Sequence, residues 1–136
     1  METQGEIGGT ENGGLHRSAL SDTNKELRDW FLTAMEDAGL ETRIDEVGNM
    51  FGRRAGTDPD ADPALIGSHL DPQLYGGIYH GALGVVAALE FVRTLKHNGI
   101  DTTHPIEIVS WTDEEGSRFE LDKYRPRGGD GDLGYP

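Results

Sequence analysis

The stretch that decides the fold is ALIGSHLDPQLYGGIYHGALGVVAALEFVRTLKHNGIDTTHPIEIVSW, residues 64–111. It opens with a short apolar run, 64–68, which is typical of a buried strand. Residues 83–95 are largely apolar and predict a mostly buried helix, and 105–111 predict another strand. A strand, a helix and a strand in this order predict a right-handed crossover in a parallel or mixed sheet.

The sequence before this stretch predicts a helix followed by a hairpin. Apolar residues recur at helical spacing over residues 24–38, namely Leu27, Trp30, Phe31, Ala34, Met35 and Ala38. Ser21, Asp22 and Thr23 are candidate N-caps, with Thr23 and Glu26 fitting a capping box, and Gly39 is a natural C-cap. Residues 40–54 alternate apolar and polar side chains around a turn at 47–49, which predicts two strands.

The length of 136 residues suits one domain with a real core. The first 20 residues are rich in turn formers, and we expect residues 1–20 to be a flexible N-terminus. We expect a folded region over 21–119. Residues 120–136 have no apolar period and predict an irregular tail.

The composition excludes several functional classes. The formal net charge is −13 with three lysines among 136 residues, so nucleic acid and anionic membranes are poor partners. We favour adaptation to high salt over an ordinary acidic surface. The absence of cysteine removes disulfides and thiolate metal sites. No apolar run reaches 18 residues, and no secretion signal is evident, so we expect a cytoplasmic protein.

Polar residues that can carry chemistry follow two of the predicted strands. His69 and Asp71 follow the first, and Glu114 and Glu115 follow the last. The carboxyl ends of neighbouring strands are where functional residues gather in such sheets. A histidine and one glutamate can bind a metal while the second glutamate acts as general base. Alone, such a histidine can also be structural, and such an acidic run can be a solvated turn.

Three strings resemble one known family: Gly67-Ser68-His69-Leu70-Asp71, Gly76-Gly77-Ile78-Tyr79-His80-Gly81-Ala82-Leu83-Gly84-Val85 and Glu114-Glu115-Gly116-Ser117-Arg118-Phe119. They are similar to the N-terminal part of the N-carbamoyl-L-amino-acid hydrolases, allantoate amidohydrolases and beta-ureidopropionases, within the M20 peptidase-like metal-dependent hydrolases. The resemblance implies an α/β fold, a zinc-peptidase-like three-layer sandwich of which residues 21–119 form the N-terminal part.

The resemblance also implies roles for individual residues. His69 matches a ligand of one metal, and Asp71 matches the carboxylate that orients that histidine. Glu114 matches the general base that activates a water molecule, and Glu115 matches a ligand of the other metal. Zinc, manganese or cobalt would serve, and the substrate class would be small ureido or amide compounds.

His80 departs from the pattern of that family. The family has Phe-Asp-Gly where this chain has Tyr79-His80-Gly81, and that aspartate bridges two metals. A neutral imidazole offers only one nitrogen to a metal. We therefore expect at most one weakly bound divalent ion, held by His69 and Glu115 with help from His80. Pro72 also replaces a threonine of the pattern.

The family's later histidines and its dimerisation domain have no counterpart in the sequence. We therefore expect a truncated amidohydrolase that is inactive as this chain. The alternatives are a non-catalytic binding module and one half of a split enzyme. A sheet without later strands would expose an edge and an apolar face, so we expect exposed side chains at Leu83, Val86, Phe91 and Trp111.

Overall fold

The computed structural model describes residues 6–9, 15–72 and 77–116. Its elements are, in chain order, α1 (Asp22–Asp37), β1 (Glu41–Ile44), β2 (Met50–Arg54), β3 (Ala64–His69), α2 (Ala82–His97) and β4 (Ile106–Trp111). Both predicted helices and all four predicted strands are confirmed. The tail expected at 120–136 lies outside the described residues. Within the expected flexible N-terminus, Leu15, Arg17 and Ala19 are buried.

Helix α1 begins where the sequence supplies a cap. The Ser21 side chain accepts a hydrogen bond from the amide of Asn24, so the cap is Ser21, one of the three candidates, and not Thr23. The helix buries one apolar face, which includes Leu27, Phe31 and Met35. It ends before Gly39, whose φ of 85° is a conformation that glycine adopts without steric cost.

The four strands form one mixed sheet in the order β1-β2-β4-β3. β1 and β2 are the predicted antiparallel hairpin, and β2 pairs antiparallel with β4. β3 and β4 are parallel and joined through α2, with His69 opposite Trp111 at their carboxyl ends. The prediction of a crossover in a mixed sheet is therefore confirmed, and the fold class is α/β.

Both helices pack on one face of this sheet. The core joins their apolar side chains to Met50, Ile106 and Ile108, which alternate on that face. Gly52 lies there too, and a Cβ added to it would be 2.5 Å from the Met35 sulfur. Glycine therefore lets α1 approach the sheet closely.

The other face carries Phe51, Val109 and Trp111, and no helix among the described residues covers it. The Phe51 and Trp111 rings meet edge to face at 6.1 Å. Leu83, Phe91 and Trp111 are exposed, as expected, but the expectation for Val86 is wrong. Val86 follows Ala82 by four residues and precedes Leu89 by three, which places it on the buried stripe of α2. In the described part of the chain, no helix is long and apolar enough to cross a membrane.

Candidate metal centre

The carboxyl ends of β3 and β4 bring together residues that are more than 40 positions apart in the sequence. His69 is the last residue of β3, and the two glutamates follow β4. His69 Nε2 lies 3.6 Å from Glu114 Oε2 and 3.7 Å from Glu115 Oε1. The proximity expected from the sequence is observed, since parallel neighbours end at the same edge.

The hydrogen bond on the far side of the His69 ring fixes which nitrogen faces the glutamates. His69 Nδ1 lies 2.7 Å from the main-chain carbonyl oxygen of Asp71. A carbonyl oxygen can only accept, so Nδ1 carries the proton and donates it. In the neutral ring, Nε2 then keeps a free lone pair that points towards Glu114 and Glu115. Metal-binding histidines are oriented in this way in proteins.

His80 completes a set of three potential ligands. Its Nε2 contacts Glu115 Oε1, and its ring meets that of His69 edge to face with centroids 5.6 Å apart. One ligand atom from each of His69, His80 and Glu115 lies within 4.8 Å of the others. His69 and Glu115 are largely buried, whereas 43% of the His80 side chain is exposed.

A tight turn after β4 presents the two glutamates. Asp113 has a φ of 53°, and the amide of Gly116 donates to the Asp113 carbonyl at 2.9 Å. Left-handed backbone costs a residue with a side chain roughly 1–2 kcal/mol, and aspartate tolerates it better than most. The turn reverses the chain, so that Glu114 and Glu115 both reach His69.

Gly81 leaves the space that the His69 ring occupies. Gly81 precedes α2 and has a φ of 67°. A Cβ at this position would lie 2.3 Å from Cε1 of the His69 ring, which is closer than any side chain can pack. No role was predicted for Gly81 from the sequence, although a glycine directly before a helix that follows a candidate ligand is a usable signal.

Asp71 differs from its expected arrangement. The resemblance implied that its carboxylate orients His69, but the contact in the structure comes from its main-chain carbonyl. The carboxylate is buried, and among the described residues its Oδ2 accepts no hydrogen bond. Burial raises the pKa of Asp71 to about 6, against the lowering effects of its own amide and of His69.

The donor set suits a divalent cation. Zinc takes imidazole nitrogen and carboxylate oxygen at about 2.0–2.2 Å, usually from three or four ligands. The 3.7 Å between His69 Nε2 and Glu115 Oε1 is close to the separation of two such ligands on one ion. Binding would replace the proton that now joins His80 to Glu115. Glu114 lies next to these three residues but does not belong to the ligand cluster.

Known proteins resemble this chain over most of its length. An N-carbamoyl-L-amino-acid amidohydrolase of Rhizobium meliloti is 50% identical over 113 residues, covering 83% of this chain and 27% of that protein. An allantoate amidohydrolase of Bacillus subtilis (strain 168) is 37% identical over 121 residues, covering 89% of this chain and 29% of that protein. This chain therefore spans less than a third of the length of either relative.

A solved structure gives the same result for the fold. The hydantoinase/carbamoylase family amidase from Burkholderia ambifaria matches 86% of this chain and 29% of its own, with 51% identity and a TM-score of 0.84. The predicted likeness to the carbamoylases and allantoate amidohydrolases is therefore confirmed over most of this chain.

A family model also matches residues 49–125, and its description is peptidase family M28. The M20 assignment expected from the sequence stays a prediction. Because the matched region exceeds half of the 136 residues and includes every candidate ligand, this chain belongs to peptidase family M28.

Proposed function

We propose that this chain forms the metal-binding and proton-transferring part of an amidohydrolase that cleaves C–N bonds in small ureido or amide compounds. The observation that carries the proposal is the orientation of His69. Its Nδ1–H is committed to the Asp71 carbonyl at 2.7 Å, which leaves Nε2 aimed at two glutamates. The relatives named N-carbamoyl-L-amino-acid amidohydrolase and allantoate amidohydrolase support the substrate class.

The proposed ligands are His69, His80 and Glu115, and they would hold one ion. Bound there, a divalent ion would lower the pKa of a water molecule and polarise a carbonyl group. The geometry supports zinc, manganese or cobalt without choosing among them. A single ion is favoured because His80 has one nitrogen to offer, which cannot bridge two metals in its neutral form.

Glu114 is the proposed general base. Its carboxylate lies 3.6 Å from His69 Nε2, and 48% of the side chain is exposed, so it can reach a water molecule in front of the ligands. It would accept a proton from that water and return it to the leaving nitrogen. Glu115 is committed to His80 and is the less available base.

The expected inactivity of the chain on its own is part of this proposal. Three ligands and a base supply one part of a hydrolytic site, and positioning of the substrate contributes up to roughly 7–11 kcal/mol to such reactions. The exposure of His80 and the absence of a second carboxylate ligand at its position favour one alternative, a module that binds metal without catalysis.

Calorimetric titration with zinc tests the metal site. We expect one equivalent in the parent chain and a severe loss of affinity in His69→Gln. His104→Gln is the matched control, because His104 Nδ1 also contacts a main-chain carbonyl, that of Asp62 at 2.8 Å, but His104 is outside the ligand cluster. Equal affinities in both variants would contradict the proposal.

Release of ammonia or free amino acid from N-carbamoyl-L-amino acids and allantoate tests the chemistry. The assay uses added zinc, manganese or cobalt, in high and in low salt. We expect little or no turnover from the chain alone. Turnover that disappears in Glu114→Gln and persists in Glu107→Gln, a control glutamate on β4, would show that the chain is a working enzyme and overturn the expected inactivity.

A further inference from the structure

Arg28, on α1, joins that helix to the loop that carries the two glutamates. Its Nη1 donates to Thr112 Oγ1 at 2.9 Å, and its Nη2 donates to the Gly48 carbonyl oxygen at 2.5 Å. The same Thr112 hydroxyl donates to the Gly48 carbonyl at 2.6 Å. One guanidinium therefore ties together α1, the turn between β1 and β2, and the first residue after β4.

The main chain of Thr112 is also held in place. Its amide donates to Asn49 Oδ1 at 2.9 Å. Asn49 is held in turn by Asp45, which accepts from its main-chain amide at 2.8 Å and from its side-chain nitrogen at 2.9 Å. Thr112 is thus held by its amide and by its hydroxyl, directly before the turn at Asp113.

Arg28 is also electrostatically connected to the other half of the site. Burial lowers the pKa of Arg28, and the nearby carboxylate of Asp71 opposes this effect. Asp71 belongs to the segment whose carbonyl orients His69. The hydrogen bonds described for the Arg28 side chain go to Thr112 and Gly48, and none of them goes to the proposed ligands or the base.

We propose that Arg28 is a positioning residue, which holds Thr112 and thereby the Asp113 turn, so that Glu114 and Glu115 stay opposite His69. The inference rests on the proposed function, since it concerns the same site. A guanidinium is needed because its planar fork reaches two acceptors at once. Lysine would offer its donors from a single nitrogen on a flexible stem, so it would fix Thr112 and Gly48 less rigidly.

The test compares Arg28→Met, Arg28→Lys and Thr112→Val with the parent chain. The matched control is Arg43→Met, since Arg43 lies over the Phe51 ring at 3.6 Å, on the face away from the helices. The readouts are zinc affinity by calorimetry, the ring-nitrogen shifts of His69 and His80 by NMR without metal, and the unfolding midpoint in urea.

We expect Arg28→Met and Thr112→Val each to weaken zinc binding by about 10-fold, the lower end of the range for residues that orient ligands. The double variant Arg28→Met/Thr112→Val should lose little more affinity than either single variant, because each substitution removes the same hydrogen bond between Arg28 and Thr112. Arg28→Lys should fall between parent and Arg28→Met, and Arg43→Met should bind as the parent does.

The metal-free spectra separate this inference from the proposed function. The shift of His80 Nε2 reports its contact with Glu115, and in Arg28→Met it should move towards its value in Glu115→Gln. If the parent binds no zinc but this shift moves, the proposed metal site fails and the role of Arg28 stands. If zinc affinity stays within two-fold of the parent and the shift does not move in Arg28→Met and Thr112→Val, the role of Arg28 is overturned. Should Arg28→Met not fold, Thr112→Val decides alone.

Discussion

The two histidines of the candidate site are held by different parts of the molecule. His69 ends a strand, has 8% of its side chain exposed, and donates a hydrogen bond to a main-chain carbonyl. His80 lies in the turn before α2 and has 43% of its side chain exposed, and the hydrogen bond described for that side chain is to Glu115. His69 is therefore oriented before any metal ion binds, whereas His80 is oriented by Glu115, which is itself a candidate ligand.

This difference predicts unequal contributions to binding. A ligand that is already fixed loses little conformational freedom when an ion binds, whereas an exposed one must be ordered at that moment. His69 should therefore contribute more to metal affinity than His80. His69→Gln and His80→Gln test this inequality directly, and Gly81→Ala and Asp71→Asn test how the His69 ring is held.

Replacing His69 should have the largest effect. In His69→Gln the lone pair at the Nε2 position is lost and the contact with the Asp71 carbonyl changes, so zinc affinity should fall by about 100-fold or more. Calorimetry measures the change, with His104→Gln as the control. A loss no larger than that in His80→Gln would break the comparison.

Gly81→Ala should disturb the fixed ligand without removing it. The new Cβ would lie 2.3 Å from the His69 ring at a φ of 67°, so we expect a loss of about 3 kcal/mol in the free energy of unfolding. Gly99→Ala is the matched control, because Gly99 has a φ of 62° but nothing within 4 Å of a Cβ. It should lose only about 1 kcal/mol. Equal losses in urea unfolding would mean that the His69 ring does not need the space.

Asp71→Asn should make stability less dependent on pH. Burial raises the folded pKa of Asp71 from 3.8 to about 6, so the fold favours the neutral carboxyl group. The stability from that preference is fully present below pH 3.8 and is lost as the pH rises through 6. Asparagine stays neutral, so the variant should be more stable than the parent by about 2 kcal/mol at pH 8, with no such gain at pH 4.

The same variant distinguishes two ways of orienting His69. Asparagine keeps the main-chain carbonyl, so zinc affinity should change little if that carbonyl orients the ring. A loss of 10–100-fold, as is typical when an orienting partner is removed, would indicate that the carboxylate has the role implied by the resemblance. Urea unfolding between pH 4 and pH 8 and zinc calorimetry at pH 7.5 give the two answers.

His80→Gln should lower zinc affinity much less than His69→Gln does, by about 10-fold or less. His80→Asp restores a carboxylate with two oxygens, each able to take a metal. If the site has the arrangement that the resemblance implies, the number of ions bound should rise above one. Unchanged affinity and stoichiometry in both variants would mean that His80 is not a ligand.

Most of the fold was predictable from residues 64–111 because its signals are local. Apolar runs of strand and helix length, separated by Gly and Pro, place β3, α2 and β4. The parallel pairing then follows, since a crossover helix between two strands brings their carboxyl ends together. That logic alone predicts that His69 and Glu115 meet.

The parts that could not be predicted depend on contacts distant in sequence. Nothing near Arg28 indicates a partner 84 positions away, and the choice between the carbonyl and the carboxylate of Asp71 depends on backbone conformation. Val86 was expected to be exposed because a sheet without later strands would leave an apolar face uncovered, but it packs on the buried side of α2. In these places tertiary packing decides what the local pattern leaves open.

Trp111 gives the site an optical reporter. Trp111 is opposite His69 in the register of β3 and β4, so its backbone lies beside that candidate ligand and directly before Thr112. It is 38% exposed, which leaves its emission sensitive to the surroundings. Cobalt absorbs visible light and quenches nearby indoles, so the fluorescence of Trp111 should fall as the ion binds. Trp30, on α1, is the second indole of the chain, and the variant Trp30→Phe would leave a single fluorophore with which to follow binding in unlabelled protein.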